Sequence, residues 1–258
     1  MCATCGCATG TDHDHDHDHG PGHDHIHLGA PDAQTIAIEV AVFAKNDAFA
    51  ATNRRRFAEQ NLLALNLVSS PGSGKTTLLE RTIREAGARL PIVVIEGDQA
   101  TENDSLRIRS AGARALQINT GAGCHLDAEM IGRALDVLAP DRSTIVMIEN
   151  VGNLVCPARF DLGEYAKVAI LSVTEGDDKP AKYPQMFAAA DLLVINKIDL
   201  LSFVDFDVEQ CCAHARRVRP DIAVLALSAR TGEGMDAWYA WLAAARASVI
   251  PPGVPAAH

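Results

Sequence analysis

Cys2, Cys5 and Cys7 put three thiols at the start of the chain, and His13, His15, His17, His19, His23, His25 and His27 follow, mostly at every second position. Thiolates and imidazoles are ligands for soft and borderline metal ions. If Met1 is removed, the α-amine of Cys2 joins its own thiol as a donor, and an amine with thiolates on a short peptide suits square-planar Ni²⁺. A tetrahedral Zn²⁺ site more usually draws on a second, distant ligand pair. The alternating Asp-His run favours several weak, exchangeable sites for Ni²⁺, Zn²⁺, Co²⁺ or Cu²⁺, which is storage rather than catalysis. An engineered affinity tag is the competing reading, although such tags carry uninterrupted histidines.

A second chemistry begins at Ser69-Ser70-Pro71-Gly72-Ser73-Gly74-Lys75-Thr76-Thr77. Gly72 and Gly74 let the backbone N–H groups around Ser73 turn toward phosphate oxygens, Lys75 reaches the β- and γ-phosphates, and Thr76 is placed to ligate Mg²⁺. Serine at position 69 departs from the usual glycine of this loop. Asn196-Lys197-Ile198-Asp199 resembles the element by which G-domain GTPases read guanine. Asp199 can accept from guanine N1–H and N2–H₂, whereas adenine would leave the carboxylate unpaired. GTP, with GDP as product, is the expected nucleotide. Ser228-Ala229 falls where such domains contact guanine O6, and Glu149-Asn150-Val151-Gly152 resembles their γ-phosphate sensor. Glu149 is expected to reach Mg²⁺ through water, and Asp98 to ligate Mg²⁺ or orient water, or else to serve only as a turn residue. Lys75, Thr76, Asp98 and Glu149 are the catalytic candidates. Asn153 replaces the water-positioning glutamine of Ras-like proteins and no arginine finger is evident, so intrinsic turnover is expected below about one per second.

A third constellation is Cys124-His125 in a glycine-rich loop, with Cys156 four positions beyond Gly152. Cys156 alone reads as a small buried hydrophobe. Together the three are one ligand short of a closed site, which a water, another side chain or a second subunit would complete. Because Cys156 stands in the segment that should answer the γ-phosphate, metal affinity is expected to differ between the GDP and GTP states.

These residues need a scaffold that holds loops at one edge. Apolar runs at 62–68, 92–95, 115–118, 145–148, 168–171, 192–195 and 223–226 read as buried strands, with helices at 75–86, 128–138 and 235–246. The alternation predicts an α/β, doubly wound, mostly parallel sheet with helices on both faces and ligands at the strands' carboxyl ends. Residues 1–32 read as a disordered Cys/His-rich tail, 33–60 as a helical lead-in, 61–248 as the nucleotide domain and 249–258 as a flexible tail. At net charge −10 the chain is a poor nucleic-acid binder, and Arg54-Arg55-Arg56 reads as a solvated helix end. The absence of a long apolar run or a secretory leader predicts a cytoplasmic protein off the membrane, with reduced thiols; Cys211, Cys212 and His214 read as ordinary helix residues.

The whole set resembles the hydrogenase-maturation nickel GTPases, the HypB family. The Cys-x-x-Cys-Gly-Cys start, the His-rich spacer, the Ser69 loop, the Cys-His pair, Glu-Asn-Val-Gly-Asn-Leu-Val-Cys-Pro and Asn-Lys-Ile-Asp span nearly the whole chain. Ser69 and Glu149, unusual for Ras-like proteins, are ordinary there. The resemblance implies a P-loop G domain of the SIMIBI type and GTP-dependent delivery of Ni²⁺ to the large-subunit precursor of [NiFe]-hydrogenase. It also implies a GTP- or metal-linked homodimer with Cys124, His125 and Cys156 at its interface, Zn²⁺ as the other candidate ion there, and a small nickel metallochaperone as partner. A urease-maturation GTPase and a nickel or zinc storage protein with a vestigial nucleotide site are the alternatives. Residues 175–180 read as either a partner-binding loop or a plain turn.

Overall fold

The computed structural model describes residues 33–98, 103–121 and 123–250. The thiols and histidines of the tail, and residues 251–258, lie outside the described residues.

Along β1 (Leu63–Ser69) every residue is buried, so the strand must be covered on both faces. Its two rows enter different cores. Leu63, Leu65 and Leu67 pack with Leu78, Leu79 and Ile83 of α2 (Lys75–Ala86) and with Trp238 and Leu242 of α9 (Met235–Val249). The Trp238 indole N–H has a buried acceptor in Thr82 Oγ1 at 2.9 Å, as an indole in a core requires. Ala64, on the other face, joins Phe57 and the residues Ile131 and Leu135 of α4 (Ala128–Leu138), while Val68 joins a third cluster around Phe187 and Cys211.

The remaining strands are β2 (Ile92–Asp98), β3 (Arg114–Asn119), β4 (Ile145–Glu149), β5 (Ala166–Ser172), β6 (Leu192–Asn196) and β7 (Ala223–Ala226). All pairings are parallel, in the order β3-β2-β4-β1-β5-β6-β7. The expected doubly wound sheet is present. It is parallel throughout, and β2 runs three residues past the apolar run at 92–95, because Glu96, Gly97 and Asp98 keep pairing with β3. With β1 central and both halves of the sheet winding away from it, the loops after β1, β2, β4, β6 and β7 gather at one edge.

Helix α1 (Ala33–Gln60) is one continuous helix. The chain divides within it, between Lys45 and Asn46. From Asn46 onward it belongs to the nucleotide domain: Ala50, Asn53 and Phe57 are buried. Asn53 Nδ2 donates to Ala128 O and Leu162 O, and Arg54 and Arg56 pair with Asp161 and Asp136 at 2.6 Å each. The shorter helices are α3 (Asn103–Ala111), α5 (Cys156–Arg159), α6 (Lys179–Lys182), α7 (Pro184–Ala189) and α8 (Val208–Val218), with a 3-10 helix at Ile198–Phe203. In α8, Cys211 is fully buried and burial pushes its thiol up to about 12, so it is a core residue.

Candidate functional site

The chain leaves β1 through Gly72 and Gly74, both at positive φ (75° and 95°), and enters α2 at Lys75. This turn lines a cavity of about 550 Å³ together with Glu96, Asp98, Asp104, Arg107, Glu149, Asn150, Gly152 and Lys197. Ser69 now has a physical role. Its Oγ accepts from the Ser73 hydroxyl at 2.6 Å and from Lys75 Nζ at 2.7 Å, and donates to Ser70 O. Thr76 Oγ1 donates to Glu149 Oε1 at 2.7 Å. Burial lowers the Lys75 ammonium, opposed by Glu149, and burial raises the Glu149 carboxyl, opposed by Lys75 and the Thr76 hydrogen bond. Glu149 Oε2 is buried without a hydrogen-bond partner among the described residues, an orphan acceptor on a residue that lines the cavity.

Gly152 follows at close quarters with this loop: a Cβ there would stand 3.1 Å from Pro71 Cα. The segment after β4 therefore touches the phosphate loop directly. Asp98 lines the cavity from the end of β2, and its carbonyl accepts from Thr120 N–H. Glu96 is a residue that pattern reading missed. It sits opposite Glu149 in the β2–β4 register, and burial, then Glu149, Asp104 and Asp98, push it up to about 8. Arg107 was missed too; it is among the residues lining the cavity, and its guanidinium is bonded to Glu80 at 2.8 Å and Asp104 at 2.9 Å.

A second cavity, about 290 Å³, shares Gly74, Thr77 and Lys197 with the first and adds Asn196, Asp199, Leu200, Ala229 and Arg230. Asn196 Nδ2 donates to Ser73 O at 2.9 Å and Lys197 Nζ to Gly72 O at 2.7 Å, so this wall is tied to the phosphate loop. Asn196 Oδ1 accepts from Ala229 N–H at 3.0 Å, so that N–H is engaged within the protein. Ser228 Oγ accepts from Thr231 N–H and shapes that loop. Asp199 Oδ1 is buried and has no hydrogen-bond partner among the described residues. Residues 175–178 turn beside the phosphate loop and lead into α6, with Lys179 Nζ 3.6 Å from Glu175 Oε2 and 3.5 Å from Ser70 Oγ.

Cys124, His125 and Cys156 come together: one ligand atom from each lies within 4.8 Å of the others. Cys124 Sγ stands 2.9 Å from Cys156 Sγ and 3.6 Å from His125 Nδ1, and all three residues are half-buried. The His125 ring lies on Phe160, centroids 3.9 Å apart, and burial lowers its pKa against Asp127, which favours the neutral, ligating imidazole. Asp127 caps α4 by accepting from Met130 N–H, which fixes the end of the loop. Asn153 uses its amide on Cys124 O (3.3 Å) and Val155 N–H (2.8 Å).

A parallel sheet whose central strand delivers a phosphate-type loop, flanked by an acid-bearing strand end and an Asn-Lys-x-Asp wall, defines a P-loop nucleotide-binding domain. Residues 63–226 match the profile described as CobW/HypB/UreG, nucleotide-binding domain. The hydrogenase maturation factor HypB of Rhizobium leguminosarum bv. viciae is 61% identical over 214 residues, 83% of this chain and 72% of that protein. The HypB crystal structure from Archaeoglobus fulgidus superposes with TM-score 0.74 at 41% identity, covering 79% of this chain and 99% of that one. HypB from Helicobacter pylori, solved in complex with nickel, gives 0.76 at 37% identity over 82% and 100%. The chain belongs to the CobW/HypB/UreG family and, within it, to the HypB hydrogenase maturation factors.

At Gly74 an added Cβ would lie 2.5 Å from Asn196 Nδ2. Gly74→Ala is expected to weaken nucleotide binding by about tenfold or more, because left-handed strain costs about 1–2 kcal/mol and the Asn196 amide must also leave Ser73 O. Titration with a fluorescent guanine nucleotide checks this, and wild-type affinity would refute it.

Proposed function

We propose that this protein hydrolyses GTP to GDP and phosphate and carries Ni²⁺ to the large-subunit precursor of [NiFe]-hydrogenase during maturation in the cytoplasm. One observation carries the reading: the segment that begins with Glu149, bonded to Thr76 of the phosphate loop, reaches Cys156 of the metal cluster within eight residues. Nucleotide chemistry and metal ligation thus share one stretch of chain. The nickel in the Helicobacter relative supports Ni²⁺ as cargo; two thiolates and an imidazole would also accept Zn²⁺.

Guanine selectivity is supported by Asp199, whose buried, unpartnered oxygen would be satisfied by the N1–H and N2–H₂ donors of guanine. Thr76 and Glu149, with Asp98 nearby, would hold Mg²⁺, an ion that neutralises phosphate charge when bound; the orphaned Glu149 Oε2 fits that use. Turnover is slow in this reading, because Asn153 is occupied by Cys124 O and Val155 N–H rather than held for a water. A second copy of the chain completes the three-ligand cluster, and a small nickel metallochaperone exchanges metal with it. Among the described residues no helix is long and apolar enough to cross a membrane.

The test is complementation in cells lacking their own nickel-insertion factor. The wild-type chain should restore hydrogenase activity, Lys75→Ala should not, and excess nickel should bypass the defect. Rescue of urease alone would favour the urease reading, and rescue by Lys75→Ala would favour storage. Deleting residues 13–27 should lower the number of Ni²⁺ bound per chain yet leave GTP turnover within about twofold, because weak His sites on a tail serve capacity. Equilibrium dialysis and phosphate release measure the two quantities.

A further inference from the structure

Asn66 lies in the middle of β1 with no exposed surface, in the run Leu63-Ala64-Leu65-Asn66-Leu67-Val68. An amide there opposes both strand propensity and burial, so its bonds matter. Asn66 Nδ2 donates to Glu164 Oε1 at 3.0 Å, and Asn66 Oδ1 accepts from Asn150 Nδ2 at 3.1 Å. Asn150 Oδ1 in turn accepts from Leu126 N–H at 3.1 Å and Val151 N–H at 3.0 Å. On the far side Lys167 Nζ stands 3.7 Å from Glu164 Oε1 and donates to Pro157 O at 2.9 Å and Phe160 O at 3.2 Å. The Glu164 and Lys167 side chains are each 7% exposed.

The chain Lys167-Glu164-Asn66-Asn150 therefore has the metal cluster at both ends. One end grips the backbone at Leu126, next to His125. The other grips the carbonyl of Pro157, next to Cys156. Its inner member Asn150 directly follows Glu149, the residue bonded to Thr76. The links are buried or, between Asn66 and Glu164, part-buried; breaking one strands a donor or acceptor with little water to replace it, so the two ligand-bearing segments are held at positions set relative to the residue after Glu149.

We infer that Asn66 and Lys167 are positioning residues for the Cys124, His125 and Cys156 cluster, and that this buried chain transmits the nucleotide state at Glu149 to the cluster's metal affinity. The inference rests on the proposed function. It goes beyond the shared segment, because it assigns the coupling to side chains that touch neither metal nor nucleotide.

The experiment uses the full chain carrying Cys2→Ala, Cys5→Ala and Cys7→Ala, titrated with Co²⁺ in the presence of GDP or a non-hydrolysable GTP analogue. Thiolate-to-cobalt charge-transfer absorption reports the cluster, since tail histidines give no such band. In this background the two affinities should differ by about fivefold or more, and Asn66→Leu or Lys167→Met should bring the ratio below about twofold with GDP affinity kept. A merely structural role would weaken Co²⁺ binding equally in both nucleotide states and preserve the ratio. A preserved ratio in a variant that still unfolds cooperatively overturns the inference, and because the two substitutions lie on opposite sides of Glu164, the second serves if the first does not fold. Equal affinities in the background protein itself would instead remove the nucleotide–metal coupling of the proposed function, before any variant is compared.

Discussion

Lys75→Ala is expected to lower GTP turnover by about two to three orders of magnitude, the range found when one preorganised donor to developing charge is removed. The ammonium is buried, 8% exposed, and is held at 2.7 Å by Ser69 Oγ, so it is positioned before any phosphate arrives. Little side-chain ordering then remains to be done on binding. Lys75 is also the charge that opposes the burial of Glu149. Without it Glu149 shifts further toward the neutral carboxylic acid, a weaker partner for a divalent cation, and the defect extends beyond phosphate contact. Single-turnover phosphate release with saturating GTP is the measurement. Thermal unfolding serves as control, since the void left by the buried stem should cost stability without unfolding the domain. Turnover within threefold of wild type would show that the loop is not the catalytic centre.

The second large effect is expected at Asp199. In Asp199→Asn an amide N–H₂ replaces one carboxylate oxygen and meets the N1–H or N2–H₂ of guanine, donor against donor. One charge-assisted hydrogen bond of about 1.5–3 kcal/mol is lost and the other, now to a neutral amide oxygen, is weakened by about 1 kcal/mol, which together corresponds to about two to three orders of magnitude in GTP affinity. Xanthine presents a carbonyl where guanine has N2–H₂, so the variant should gain affinity for xanthosine triphosphate as it loses GTP. That reversal separates a base-reading role from simple damage, which would weaken both. The position can bear the change: Asp199 opens the 3-10 helix Ile198–Phe203 outside the sheet, and Asn196 and Lys197, which brace the phosphate loop, are untouched. Competition titration against a fluorescent nucleotide gives both affinities, and an unchanged GTP preference would mean that the base is read elsewhere.

Much of this site was legible from sequence for a local reason. A phosphate loop is built from consecutive backbone N–H groups, so Gly72, Gly74, Lys75 and Thr76 must be neighbours in the chain, and the wall at 196–199 is equally contiguous. Cys124 and His125 were legible as adjacent ligands. Their union with Cys156 was expected as a set, and the fold brings it about by placing the loop after β3 beside the segment after β4. Glu96 escaped notice because it continues a strand whose apolar signal stops at Ile95, and a strand's end cannot be told from a loop when the next residues are charged or glycine. Arg107 escaped because α3 is a short, weakly amphipathic helix, giving little periodic signal.

The residues themselves determined the chemistry available: a nucleotide loop, an acid in an Asn-Lys-x-Asp run, two internal thiols with an imidazole, and a sheet able to carry them. Tertiary structure alone decided how these parts are joined. Asn66 and Asn150 are 84 positions apart, Asn66 and Glu164 are 98 apart, and neither spacing has any periodicity. In the strand pattern Asn66 reads only as an interruption of an apolar run. Its meaning appears once β1 lies between β4 and β5, where burial removes water and obliges each amide to find a partner across the sheet. Local patterns record what a residue offers its neighbours in sequence; a buried polar chain depends on which strands are adjacent, and that is settled by packing the whole core.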